Sequence, residues 1–224
     1  MTTPPESSTD RGAGLPVRGN RAVLDAVAAA TRIRRGHDRP SLDEAIIRAP
    51  LDEPLVERFT REARAVQMNV VPAQTAALRS VVEDLLAPEP GAGILLEPAL
   101  SERYPSLREI PGVVSHPGEE ELFAAAAGVV SVSAAIAETG SIVLVSGADR
   151  PRSTALVPIT VVAVVGESQI VADLYDWLAS LDPLRMPAES VIVTGPSRTA
   201  DIGMNLVIGV HGPGAVHIVL LTDA

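Results

Sequence analysis

Helical periods and short β-branched runs alternate along this chain, and that alternation narrows the possible folds more than any single motif does. Leu55, Phe59, Ala63 and Val66 fall on one helical face, and Val66–Val71 then alternates as a strand. Gln74–Leu86 is a second amphipathic period, stopped by Pro88 and Pro90, and Gly93–Glu97 is a short strand. Apolar residues three and four apart mark a helix face, whereas strict alternation marks a half-buried strand. Helix, strand, helix, strand in succession favours a parallel sheet, because parallel neighbours need a crossover and a helix supplies it. The second half is richer in strand-type runs: Val129–Val132, Ile142–Val145, a long run Ala155–Val165 broken by Pro158, Ser190–Thr194 and Val216–Leu221. Glu167–Leu181 reads as a helix, and so does the short segment between Asp201 and Gly209; residues 98–118 show no clear period. Near the start, Val23, Leu24, Val27 and Ile33 recur at roughly helical spacing, and Ser41 before Leu42-Asp43-Glu44 has the form of a helix cap. The predicted fold is an α/β protein with an open, mainly parallel sheet flanked by helices. Its expected organisation is a disordered tail over 1–19, then a single domain over 20–224 with an N-terminal helical extension.

Composition narrows the chemistry. The 224 residues include no Cys, so the chain can form no disulfide, ligate no iron–sulfur cluster through thiolates and use no Cys nucleophile. All 18 basic residues are Arg, which removes a lysine Schiff base and a P-loop lysine. With four His in the chain, a His-rich metal centre is not expected, and no cofactor is. A net charge of −10 repels phosphate backbones and argues against nucleic-acid binding. No run of apolar residues is long enough to cross a bilayer, and the first residues, rich in Thr, Pro and Ser, lack a basic start followed by an apolar stretch. A cytoplasmic location is the expectation.

Three Gly-containing stretches carry the candidate chemistry. The first is Ala137-Glu138-Thr139-Gly140-Ser141. Glu138 in such a turn suits a base, a hydrogen-bond acceptor or a nucleophile, and Gly140 lets backbone approach a ligand or another segment. The plainer reading is a hairpin turn with a solvated Glu138. The second is Thr194-Gly195-Pro196-Ser197-Arg198-Thr199-Ala200-Asp201, which follows a strand. Backbone N–H groups at Gly195, hydroxyls of Ser197 and Thr199, and the Arg198 fork make an anion-binding layout. The plainer reading uses the same residues as a helix cap, with Arg198 paired to Asp201. The third is Gly209-Val210-His211-Gly212-Pro213-Gly214, where His211 between glycines suits acid–base work near neutral pH. His217 reads as a strand residue, and His116 and His37 as loop and solvated residues. Glu138 and His211 are thus the catalytic candidates. Thr139, Gly140, Gly195, Ser197, Arg198, Thr199, Asp201 and Gly212 are the ligand-binding candidates, and Glu138, Arg198 and His211 are expected in one cleft.

In this order and spacing the stretches Ile136–Ser141, Gly195–Ile202 and Gly209–Pro213 resemble the LUD-domain family, and within it the lactate-utilisation protein C group. The resemblance spans roughly Asn20 to the end of the chain, its N-terminal third matching only in helix–strand rhythm. It implies a fold similar to that of sugar-phosphate isomerases and CoA transferases. It also implies an accessory role beside iron–sulfur proteins that oxidise L-lactate to pyruvate, with a small organic anion as ligand. Other functions compatible with that fold are a small-molecule enzyme of isomerase or acyl-CoA transferase type and a ligand-binding regulatory module; a shared fold by itself decides none of them. Three positions depart from the family's pattern. Ser133 stands where an acidic residue is usual, Val161 lies in a strand start that usually carries a His, and Gly203 follows Asp201-Ile202 where Glu is usual.

Overall fold

The structure, a computed structural model, describes residues 52–86, 93–182, 184, 186–200, 206–209 and 212–224, with positions 21–23, 25, 26 and 29. The chain divides into two compact units, Met1–Arg48 and Ala49–Ala224. In the first, the described positions are helical and exposed, in keeping with the period read there. Residues 1–19, His37 and the Ser41 cap lie outside the described residues.

The second unit opens with helix α1 (Leu55–Ala65), which buries Phe59 and Ala63 on the face read from the sequence. The helix ends where Val66 and Gln67 turn back on it. The N–H of Met68 donates to Ala63 O at 2.9 Å, and Gln67 takes φ 66°, a left-handed conformation usually left to glycine at helix ends. This closing turn displaces the strand expected over Val66–Val71, and β1 runs over Asn69–Ala73 instead. After a 3-10 turn at Thr75–Ala77 comes α2 (Leu78–Leu86), with Leu78, Val82 and Leu86 buried at four-residue spacing. Strand β2 (Gly93–Leu96) follows. The stretch with no clear period resolves into α3 (Pro98–Arg103), a 3-10 turn at Pro105–Glu109 and β3 (Val113–Val114).

Helix α4 (Glu119–Ala124) leads into β4 (Ala125–Ser131), and the hairpin β5 (Ala134–Ile136) and β6 (Ser141–Val145) follows. Pro158 breaks the long β-branched run, as its composition implied, into α5 (Ser153–Leu156) and β7 (Thr160–Gly166). The helix expected over Glu167–Leu181 is shorter than read. A 3-10 turn (Glu167–Gln169) and strand β8 (Ile170–Val171) come first, and α6 covers only Leu174–Ser180. The β-branched pair Ile170-Val171 finds strand partners in Ala135 and Ile136, and the Asp173 carboxylate accepts from the Asp176 N–H at 2.9 Å, starting the helix there. The last strands are β9 (Ser190–Val193), β10 (Arg198–Ala200), β11 (Leu206–Ile208) and β12 (Ala215–Leu221). Strands β10 and β11 pair antiparallel, so a hairpin flanks the gap read as helical.

Six strands form one sheet in the order β1-β12-β7-β4-β2-β3, and every pairing in it is parallel. The predicted open parallel sheet is therefore present. Strand β7 is buried over six consecutive residues, as expected of a strand covered on both faces. Alternate residues separate into two cores. Ala127, Val129, Val162, Val164 and Val219 pack with α2 and α3, whereas Val130, Val161, Ala163 and Ile218 pack with α1 and with Ala135 and Ile142. Those last two belong to a second sheet, β8-β5-β6-β9, which lies against the first. Its far face is closed by Trp177 of α6 over Ala134, Ile136 and Val143. With almost no aromatic residues, Val, Ile, Leu and Ala fill both cores.

Candidate functional site

Because the six strands point the same way, their ends define two rims. Gly212–Gly214, at the end of the third Gly-containing stretch, leads into the start of β12 and therefore lies at the amino-terminal rim. It is fixed there by the N–H groups of Gly214 and Ala215, which both donate to Ile159 O, at 2.7 and 3.0 Å, just before β7. The second stretch is tied to it: the Ser197 N–H donates to Pro213 O at 2.8 Å, and the Gly209 N–H to Ser197 O at 3.0 Å. The first stretch joins them through hydroxyls. Ser141, almost fully buried, shares a hydrogen bond with Thr194 at 2.8 Å and another with Thr139 at 2.7 Å. Strand pairing explains the alignment, since Ile142 lies opposite Val193 and so sets Ser141 beside Thr194.

The glycines in these stretches have visible steric reasons. At Gly140, with φ 63°, a Cβ would sit 2.1 Å from the Ala63 N of α1. At Gly195, with φ 94°, it would sit 2.3 Å from Val66 O. Both loops close onto the end of the same helix. Gly212 is packed beside Ser197, 3.5 Å from its Cβ. Glu138 is exposed at the hairpin turn, its N–H donating to Ala172 O at 3.0 Å, and Thr139 beside it is exposed too. Arg198 is exposed on β10. Thr199 continues that strand opposite Val207. Asp201, His211 and Gly203 lie outside the described residues. Ser133 directs its N–H to Val143 O at 2.7 Å, and Val161 is buried in the core between the two sheets. The structure thus joins Thr139, Gly140, Gly195, Ser197 and Gly212 into one patch, whose inner side is occupied by helix α1.

The carboxyl-terminal rim carries groups that the sequence reading passed over. Glu97 directly follows β2 and Ser131 ends β4, its neighbour. The Glu97 side chain is buried, and Ser131 donates to its carboxylate from the N–H, at 3.2 Å, and from the hydroxyl. Arg150 Nε lies 3.9 Å from Glu97 Oε1, close enough to attract it but beyond hydrogen-bonding reach. Arg150 is held in place by a tight turn, in which the Arg150 and Gly147 N–H groups donate to each other's carbonyls at 3.2 and 3.1 Å. Burial pushes the Glu97 carboxyl above its ordinary range. The Ser131 hydroxyl, the Ser131 N–H and Arg150 pull it the other way, and Asp149 adds to the rise. Beside these groups lies a cavity of ≈ 20 Å³, walled by Val130, Leu144, Ala155 and Leu156. A separate wide cleft of ≈ 590 Å³ is lined by Glu102, His116, Asp149, Ser153 and Thr154, with Pro151 common to both. One sequence signal pointed here: Leu95-Leu96-Glu97-Pro98 puts a charge straight after a buried strand, where ligands of parallel sheets sit. Among the described residues no group of three His, Asp or Glu side chains is placed to hold a metal, and no helix is long and apolar enough to cross a membrane.

An open parallel sheet backed by a second, mixed sheet, with its glycine-rich loops gathered at one rim, defines an α/β protein of the open-sheet class. The chain belongs to the LUD domain family, whose pattern it matches over residues 56–221. Curated relatives extend the match along most of the chain. Lactate utilization protein C of Anoxybacillus flavithermus is 26% identical over 86% of this chain and 92% of its own length. That of an Exiguobacterium species is 30% identical over 80% and 83%. A solved DUF162 family protein from Deinococcus radiodurans has a similar fold, with a TM-score of 0.56 and 22% identity, covering 75% of this chain and 96% of that one.

Proposed function

We propose that this chain is an accessory component of an L-lactate utilisation system, acting in the cytoplasm beside iron–sulfur proteins that oxidise lactate to pyruvate. The observation that carries the reading is the match to lactate utilization protein C of Anoxybacillus flavithermus along 86% of the chain. Composition supports the division of labour. With no Cys, this chain cannot hold an iron–sulfur cluster through thiolates, so electron transfer through such a cluster falls to partners that have them. A small organic anion is the ligand class in this reading.

The test is copurification of the tagged full chain from its native host grown on L-lactate, together with growth of a deletion strain. Iron–sulfur proteins in the eluate and a growth defect specific to lactate are expected. Normal growth on lactate without the gene would overturn the role. Lactate-dependent dye reduction by the purified chain alone would show that it is not accessory.

A further inference from the structure

We propose that the crevice between the carboxyl ends of β2 and β4 is a ligand site for a small carboxylate bearing a hydroxyl or oxo group on the adjacent carbon. The first argument is topological. After β2 the chain turns outward to β3, through α3, which packs in the core containing Val129 and Val162. After β4 it turns toward β7, through β5 and β6, which pack in the opposite core. Neighbouring strands whose following connections leave in opposite directions part at their carboxyl ends, and ligands of open α/β sheets bind in the opening so formed. Glu97 and Ser131 stand on the two sides of that opening.

The second argument is chemical. Glu97 is buried and fixed by Ser131, so its carboxyl is aimed at a neighbouring oxygen: it accepts from a hydroxyl and, when protonated, donates to an oxo group. Arg150 stands at the mouth, about one-third exposed, and its contact with Glu97 is too long for a hydrogen bond. Its fork is therefore available to a carboxylate arriving from solvent. The third argument is size. A cavity of ≈ 20 Å³ accepts roughly one water-sized group. A ligand seated on Arg150 can place one small substituent there, against Val130 and Leu144, while anything longer must extend outward. Carboxylate outside, single oxygen or methyl inside, is the shape of a short 2-hydroxy or 2-oxo acid.

Nothing in this argument uses the amino-terminal rim or an iron–sulfur partner. It rests on the proposed role only for the choice of probes. The experiment is calorimetric titration of the full chain with pyruvate, L-lactate and acetate, repeated with Arg150→Met, Arg150→Lys and Arg198→Ala. Arg150 is at the surface, so its variants leave the fold intact, which circular dichroism checks. Pyruvate or lactate is expected to bind at least tenfold more tightly than acetate. Arg150→Met should weaken that binding tenfold or more, Arg150→Lys should restore part of it, and Arg198→Ala should leave it unchanged. Failure of both acids to bind would overturn the proposal, and so would binding lost with Arg198→Ala but kept in Arg150→Met. Either failure leaves the lactate-growth test untouched, so the two readings fall separately.

Discussion

The two rims of the parallel sheet are built from different chemistry. At the amino-terminal rim, three loops meet through neutral groups: the hydroxyls of Thr139, Ser141 and Thr194 and the backbone of Ser197, Gly209 and Pro213. Their glycines let backbone press on the end of α1. At the carboxyl-terminal rim, a buried carboxylate and an arginine face each other beside a cavity. The first arrangement holds elements together. The second keeps a charge poised at some energetic cost, which a fold alone does not require. A conspicuous motif and a reactive site need not coincide.

If the amino-terminal rim is primarily a joint, adding atoms there should do the greatest damage. Gly140→Val would drive a side chain into the Ala63 backbone and strain a left-handed φ. A loss of roughly 3–4 kcal/mol is expected, combining overpacking and backbone strain. A urea midpoint within error of wild type would show that the joint yields freely. Next in size is Glu97→Ala, which strands the Ser131 N–H and leaves Arg150 without its neighbour. A cost of about 2 kcal/mol is expected from the loss of a charged hydrogen-bond acceptor in a buried place.

A pH series separates that loss of contact from the cost of charge. Burial raises the Glu97 pKa, so the native state holds this proton more tightly than the unfolded chain does. Its share of stability is whole below the ordinary value of 4.5 and is lost as pH rises through the raised one. Glu97→Gln cannot ionise and should remove that decline. Equal slopes of stability against pH in the two proteins, from about pH 4 upward, would show that Glu97 ionises as freely as in solution. A smaller effect, about 1 kcal/mol, is expected for Ser141→Ala, which removes two hydrogen bonds whose Thr partners can turn to water. Least of all, Arg198→Ala should change stability by under about 0.5 kcal/mol, because that residue is exposed.

Much of the fold was legible because its signals are local. Phe59 and Ala63 announced the buried face of α1, Pro158 the break before β7, and Gly140 the turn before β6. The errors came where tertiary pairing overrides local pattern. Ile170 and Val171 became a strand only because Ala135 and Ile136 offered an edge, and β1 started late because Gln67 closed the helix before it. The rim that the Gly-containing stretches occupy was not legible. Strand polarity decides that, and it is unknown until the sheet order is. Glu97, Ser131 and Arg150 are spread over three segments with no shared motif. The adjacency of β2 and β4 brings the first two together, and the turn after β6 adds Arg150.

The most direct test of this division is to map backbone amide shifts of the full, isotopically labelled chain during titration with pyruvate. The account predicts saturable shifts at Glu97, Ser131 and Gly147–Arg152, with Thr139–Ser141 and Thr194–Arg198 unmoved. Saturable shifts confined to Thr194–Arg198 and the loop before β12, with Glu97 and Arg150 silent, would contradict it.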